Sequence, residues 1–160
     1  MTEIEMKIKE LAEKFRLPGE LVSVSVISNG NINTTYDVKL DHEGKEGHYV
    51  FQKINMFVFK SPKKIMSNIE KITRHIADKL ECEGKSRDQV MHFFYTEDGK
   101  NYYLDDNGFW RVSEYVHNTV TYNECDNLER LCSAGSAFGN FQNMLSDFDA
   151  TTLYETIPNF

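Results

Sequence analysis

The stretch that decides the fold is YVFQKIN at residues 49–55, followed after a short gap by PKKIMSNIEKITRHIADKL at residues 62–80. The first segment is rich in apolar and β-branched side chains, which is typical of a strand. In the second segment one helical face is formed by apolar residues three or four positions apart, namely Ile65, Ile69, Ile72, Ile76 and Leu80. Pro62 suits the first turn of this helix. A strand followed by a long amphipathic helix is therefore the centre of the predicted fold.

Two more strands are predicted before this centre. Residues 21–27 are apolar and β-branched, and residues 33–40 alternate apolar with polar side chains. The links at 28–33 and 41–47 are rich in residues that favour turns, such as Asn, Asp and Gly. The first three strands should therefore form an antiparallel meander.

After the central helix the pattern of strands returns. We predict strands at residues 90–95, 101–104 and 109–116, joined by turns at Asp98-Gly99 and at 105–108. Counting two or three strands after the helix, the sheet should contain about five antiparallel strands, with one helix inserted after the third strand.

Helices are also predicted near both ends of the chain. Residues 2–15 carry apolar side chains at helical spacing, and Pro18 and Gly19 follow them. A second such pattern covers residues 123–145, and the polar residues 146–160 show no pattern of their own. From periodicity alone, the fold class is α+β with an antiparallel sheet.

Composition restricts the kinds of partner. The 160 residues include 18 Lys and Arg against 25 Asp and Glu, a net charge of −7, which disfavours nucleic acid and anionic membranes. The apolar runs are too short to span a bilayer, so we expect a cytoplasmic protein. The three cysteines lack CxxC spacing, and neither a disulfide framework nor a metal site is predicted.

Several segments carry a family resemblance. They are GNINTTY at 30–36, YVFQKIN at 49–55, Phe59 with Pro62, Asn68 and Ile69, WRVSEYV at 110–116, and finally Phe138, Gly139, Phe141, Leu145, Phe148, Asp149 and IPNF at 157–160. In this order and spacing they resemble the bacterial N-acetylhexosamine 1-kinase family, within the superfamily of aminoglycoside and choline kinases. The resemblance implies a two-lobed, protein-kinase-like fold and ATP- and Mg²⁺-dependent phosphorylation of a sugar.

The resemblance also implies a division of the chain. Residues 1–117 would form the amino-terminal lobe, which clamps the nucleotide, and residues 118–160 would leave the hinge and begin a carboxy-terminal lobe. Five strands with a helix inserted after the third is the layout of such an amino-terminal lobe. The helix at 123–145 would then be the first helix of an incomplete second lobe, and its exposed apolar face could support self-association.

The link between the first two strands is a candidate loop for covering the nucleotide. Gly30 lacks a Cβ, so its backbone could approach phosphate oxygens closely and direct N–H groups at them. The resemblance adds Asn31, Asn33 and Thr34 to this loop. The alternative is a turn that simply closes a hairpin.

The third strand should supply a cation for the phosphates. Lys53 is the candidate, but strand alternation places Gln52 and Lys53 on opposite faces, so only one of them can face the nucleotide. Lys53 could instead be an ordinary solvated lysine. Glu70, on the central helix, is the candidate carboxylate for orienting Lys53, and an exposed surface glutamate is the alternative.

The end of the last strand is the candidate adenine site. In a kinase, the corresponding hinge offers backbone N–H and C=O groups to the adenine edge. This points to Glu114, Tyr115 and Val116, although an ordinary strand end would have the same sequence.

The catalytic residues of such a kinase are missing from the 160 residues. A catalytic loop would contain His-x-Asp followed by Asn, and no histidine of the chain begins that pattern. The pair Asp147 and Asp149 is interpreted as a loop at a helix end. We therefore expect the amino-terminal fragment of a kinase, inactive by itself, with no catalytic or metal-binding residue of its own. Choline, homoserine or aminoglycoside-like acceptors remain open, as does a non-catalytic binding module.

Overall fold

The computed structural model describes residues 1–28, 30, 32–122, 124–125 and 127–158. Within this part of the chain, three α-helices accompany a five-stranded antiparallel sheet, which gives the predicted α+β class. The elements are α1 (Glu3–Lys14), β1 (Glu20–Ile27), β2 (Thr34–His42), β3 (Lys45–Ile54), α2 (Pro62–Cys82), β4 (Tyr103–Asp105), β5 (Gly108–Glu114) and α3 (Leu128–Met144). Short 3-10 turns lie at Arg87–Gln89 and Ala150–Thr152.

The strand order in the sheet is β1-β2-β3-β5-β4. The first three strands form the predicted meander, and β3 then pairs with β5 from Tyr49 opposite Glu114 to Ile54 opposite Phe109. The chain between β3 and β4 forms α2. As a result β3 lies in the middle of the sheet, with β2 on one side and β5 on the other.

The main core lies between α1 and one face of the sheet. Ile8 and Leu11 of α1 are fully buried in the same cluster as Phe51, Trp110 and other apolar strand residues. The helix begins after Thr2, whose hydroxyl accepts from the Glu5 amide while the Glu5 carboxylate accepts from the Thr2 amide. An apolar helical stripe and a capping box therefore fix α1 across the sheet.

The opposite face of the sheet carries α2 over a smaller core. Met66 of α2 packs with Ile54, Phe93 and Phe109. The other strand residues on this face are largely polar. They include Thr35, Gln52 and Arg111, whose side chains form hydrogen bonds with one another.

Two predicted elements differ from the observed ones. Residues 90–95 do not form a strand: they contribute one bridge, Phe93 to Ser113, flanked by hydrogen bonds from Phe94 N to Val112 O and from Glu114 N to His92 O. The last helix begins at Leu128 rather than at residue 123, because the Asn127 side chain accepts from the Arg130 amide and caps the helix there.

The segment after α3 folds back onto α2. Asp147 accepts hydrogen bonds from Lys79 at 2.8 Å and pairs with His75 at 3.2 Å. Asn68 of α2 forms two hydrogen bonds with the backbone of Tyr154, at 2.8 and 2.9 Å. Asp147 thus lies in a helix-end loop, as predicted, and polar contacts hold the loop against α2.

Candidate functional site

The two candidate residues of β3 lie on opposite faces of the sheet. Gln52 faces the α2 side, where its side chain meets Arg111, which in turn contacts Met66 of α2. Lys53 faces the α1 side, where its ammonium lies 5.7 Å from the centre of the Trp110 ring. The predicted alternation is therefore present, and Gln52 is the residue on the face that α2 shares.

The side chain of Gln52 is held at both ends. Its Nε2 donates to the Thr35 hydroxyl at 2.9 Å, and its Oε1 accepts from Arg111 Nε at 2.9 Å and Nη2 at 2.6 Å. This row crosses three neighbouring strands, β2, β3 and β5. The amide therefore connects a hydroxyl to a guanidinium on the polar face of the sheet.

The predicted pair between Lys53 and Glu70 is not formed. Glu70 bonds instead with Arg74, one helical turn further along α2, at 2.6 Å between Oε1 and Nη2. The stem of Lys53 packs over Gly108, where an added Cβ would lie 2.6 Å from Lys53 Cε. The sheet itself separates Lys53 from α2, which is the physical reason for the difference.

The link between β1 and β2 contains the predicted loop residues. Gly30 is exposed, and among the described residues a Cβ added to it would approach Asn33 O alone, at an ordinary contact distance of 3.8 Å. The Asn33 side chain accepts from the Asn55 amide at 2.9 Å, which ties the loop to the end of β3. Thr34 is exposed beside Lys53 in an open depression. Asn31 lies outside the described residues.

The end of β5 has few free backbone donors. Glu114 N donates to His92 O at 3.0 Å, and Tyr115 N donates to His48 O at 3.2 Å. Within the part of the chain that the structure describes, the Val116 amide has no acceptor. Of the three predicted hinge residues, Val116 alone therefore has a backbone N–H available for a ligand.

An aromatic and acidic cluster lies beside this strand end. The rings of His48 and Tyr115 stack with centroids 3.7 Å apart, and His117 is tilted 5.0 Å from His48. A ring nitrogen of His48 lies 2.5 Å from Asp37 Oδ1. This cluster was not predicted from the sequence, because its members come from three separate segments and only the pairing of β2, β3 and β5 brings them together.

A cavity of about 780 Å³ opens between α2 and the end of β5. It brings together four predicted site residues: Glu70, Glu114, Tyr115 and Val116. Polar and charged side chains share the lining with apolar ones. Tyr95 lies beside Glu70 in this lining, and the pKa of its phenol is raised, mainly by burial. The cavity has the volume of a small-molecule site.

Arg111 is a further residue of the site that was not predicted from the sequence. It is half-buried, and desolvation lowers the pKa of its guanidinium. The available signal was an arginine between Trp110 and Val112, in a strand that is otherwise largely apolar. Such an arginine must face the less apolar side of the sheet, and only the fold shows that this side also carries α2 and Gln52.

Some features are not seen in the part of the chain that is described. No group of three or more His, Cys, Asp or Glu side chains there could hold a metal ion. None of the helices has the length and apolar character needed to cross a membrane, judged on the same residues. No model of a known protein family matches the chain.

Proposed function

We propose that this chain is the nucleotide-binding part of an ATP-dependent kinase that phosphorylates a sugar, specifically an N-acetylhexosamine. The observation that carries the proposal is the layout: a five-stranded antiparallel sheet, one long helix between the third and fourth strands, and a cavity where that helix meets the end of the last strand. The sequence resemblance independently favours the same arrangement.

The adenine would bind beside Val116. Its amide is available, whereas the amides of Glu114 and Tyr115 are already used within the fold. Main-chain groups can form hydrogen bonds with the edge of a purine whatever side chains the segment carries. The cavity next to Val116 also has apolar lining from Ile69 and Phe93 for the flat faces of the base.

Mg²⁺ would neutralise charge on the phosphates when it is bound with ATP. Among the described residues, no group of three or more His, Cys, Asp or Glu side chains is placed to hold the ion. The 160 residues also contain no His-x-Asp loop to orient an acceptor hydroxyl. We therefore assign nucleotide binding, and no step of phosphoryl transfer, to these 160 residues.

The nucleotide part of the proposal is tested by following the backbone amides of the isotopically labelled chain during a titration with ATP. We expect saturable shifts at Val116 and its neighbours at millimolar ATP, with the same residues responding to adenosine. Shifts confined to other surfaces, or none at all, would refute the proposal. The sugar part is tested on the natural polypeptide, by comparing phosphorylation of N-acetylhexosamines with that of choline, homoserine and aminoglycosides.

A second candidate is a non-catalytic binding module, and α3 is the observation in its favour. None of residues 128–144 is buried, and the exposed side chains include Leu128, Leu131, Phe138 and Phe141. An apolar helix face of this kind is typical of an interaction surface, which a second copy of the chain or another protein would cover. This candidate predicts no amide shifts in the ATP titration, so the same experiment separates the two.

A further inference from the structure

Arg111 is a half-buried cation for which the described residues provide no carboxylate partner. Among the residues that the structure describes, no Asp or Glu oxygen lies within 4.0 Å of its guanidinium, and its acceptors are Gln52 Oε1 and, at 3.8 Å, Met66 Sδ. The Phe93 ring lies against the same group, with its centre 5.5 Å from Arg111 Cζ. Removing a charge from water without an opposite charge is costly, so such a group is a natural site for an anion.

The neighbours of Arg111 fix its orientation without neutralising its charge. Thr35 accepts from the Gln52 amide nitrogen, so the carbonyl oxygen of Gln52 points to the guanidinium. Three of the five guanidinium N–H groups are then used, two on Gln52 and one on Met66. The remaining two, one on Nη1 and one on Nη2, have no acceptor among the described residues and are available to donate to an anion such as phosphate.

The distance from Arg111 to the proposed adenine site fits a nucleotide. Arg111 and Val116 are five residues apart on an extended segment, which corresponds to about 16 Å. An extended nucleoside triphosphate covers a span of this length. Between them on the α2 face lie Val50 and the buried Ser113, which pair across β3 and β5 and carry no charge. Arg111 itself lines a smaller cavity of about 50 Å³, together with Met66 and Phe109.

We propose that Arg111 is the cation that binds the phosphates of the nucleotide, and that Gln52 is the residue that positions it. This inference rests on the proposed function. It moves the phosphate-binding charge from the third strand to the fifth, and it explains why a neutral side chain occupies the α2 face of β3. Lys53, on the other face of the sheet, then has no part in phosphate binding.

The test compares three probes on the 160-residue chain: ATP, adenosine and inorganic tripolyphosphate. We expect Arg111→Gln to weaken binding of ATP and tripolyphosphate by about tenfold or more while adenosine binds as before. Gln52→Glu places a carboxylate against the guanidinium and should weaken binding of the same two probes. Because Glu and Gln have nearly the same shape, this substitution leaves no cavity in the packing. Lys14→Gln, which removes a charge from α1, is the control for net charge and should change none of the three affinities.

The outcomes distinguish this inference from the proposed function. If the unmutated chain binds tripolyphosphate through Arg111 but binds neither adenosine nor ATP at Val116, the anion site stands and the nucleotide function fails. If ATP binds but Arg111→Gln and Gln52→Glu leave its affinity unchanged, the anion site is refuted and the nucleotide function stands. Loss of ATP binding in Lys53→Gln alone would also refute the role of Arg111, and so would failure of tripolyphosphate to bind the unmutated chain.

Discussion

Gly19 lies in the link between α1 and β1, at a point where the backbone passes very close to β2. Its φ of +105° is one that residues with a Cβ rarely adopt, and an added Cβ would lie 2.4 Å from Asp41 O. Gly44, in the turn between β2 and β3, also has a positive φ, +79°, but nothing lies within 4 Å of a Cβ built there. Substituting Ala at each glycine therefore distinguishes two contributions to the free energy of unfolding: the strain of a positive φ, present at both positions, and the steric contact, present only at Gly19.

We expect Gly19→Ala to lower the free energy of unfolding by about 2–3 kcal/mol, and Gly44→Ala by about 1 kcal/mol. The larger effect follows because Asp41 O belongs to the sheet backbone and cannot move aside. Urea denaturation of both variants measures the difference. Equal losses would show that the close approach at Gly19 carries no cost of its own.

At the same scale, the sequence revealed part of the candidate site. Alternation along β3 correctly placed Gln52 and Lys53 on opposite faces, since side-chain direction in a strand is a local property. It could not show which face meets α2, because that depends on where α1 and α2 pack. Arg111 and His48 were missed for the same reason, since their partners are distant in the sequence.

Between elements, α1 and β4 are tied by an ion pair that is largely shielded from water. Lys7 bonds with Asp105 and, at 2.8 Å, with Glu10, and the side chains of Lys7 and Asp105 are only 12% and 20% exposed. Burial by itself raises the pKa of Asp105, but the hydrogen bonds from Lys7 and from the amides of Asn107 and Gly108 outweigh it, so the pKa lies below its ordinary value of 3.8. For Lys7, burial lowers the pKa, and the bonds with the carboxylates outweigh that effect and raise it above 10.5.

We expect Asp105→Asn to destabilise the chain by about 1–2 kcal/mol near neutral pH. Because the folded pKa of Asp105 is depressed, its contribution is present above pH 3.8 and is lost as the pH falls through the folded pKa. The difference in free energy of unfolding between Asp105→Asn and the unmutated chain should therefore disappear at acidic pH. Because the pKa of Lys7 is raised, its contribution is lost only as the pH rises through that pKa, above 10.5.

Denaturation curves at several pH values measure this gap. Glu83→Gln is the control, since Glu83 pairs with Lys85 on the exposed surface, and it should leave stability unchanged. A gap for Asp105→Asn that stays constant into acid would contradict the role of the ion pair.

The elements with strong periodicity were predicted within a few residues, as α1, α2 and the meander show. Residues 90–95 have the composition of a strand but form a single bridge, because β4 also pairs with β5 on that edge, opposite Trp110 and Phe109. The start of α3 depends on one cap, Asn127, in a segment with several residues able to cap a helix. The local sequence pattern therefore predicts that an element exists more accurately than it predicts where the element ends or which strands it pairs with.

For the molecule as a whole, the segment after α3 is joined to α2 by hydrogen bonds rather than by an apolar core. Besides the bonds of Asn68 with Tyr154 and of Lys79 with Asp147, Lys71 Nζ donates to Thr152 O at 2.5 Å. This docking could not be predicted from the sequence, because residues 146–160 lack any periodic pattern and their partners lie on an exposed helix face. Single side chains should therefore control whether the segment stays attached.

We expect Asn68→Ala to release the segment, because it removes both hydrogen bonds with the Tyr154 backbone. Limited proteolysis should then cut beyond residue 145 faster, by about threefold to tenfold. The sheet should keep its stability. Lys63→Ala, at an exposed position in the first turn of α2, is the control and should leave cleavage as in the unmutated chain. An unchanged rate in Asn68→Ala would show that other contacts hold the segment.

The lack of buried residues in α3 has a consequence for cooperativity. The sheet packs on the core around Phe51, whereas α3 has no buried residue and can lose its helical hydrogen bonds without exposing a buried side chain. A single two-state transition will therefore describe the sheet with α1 and α2, and it will omit α3. In hydrogen exchange the amides of α3 should form a separate, weakly protected unit, unless a binding partner couples them to the rest.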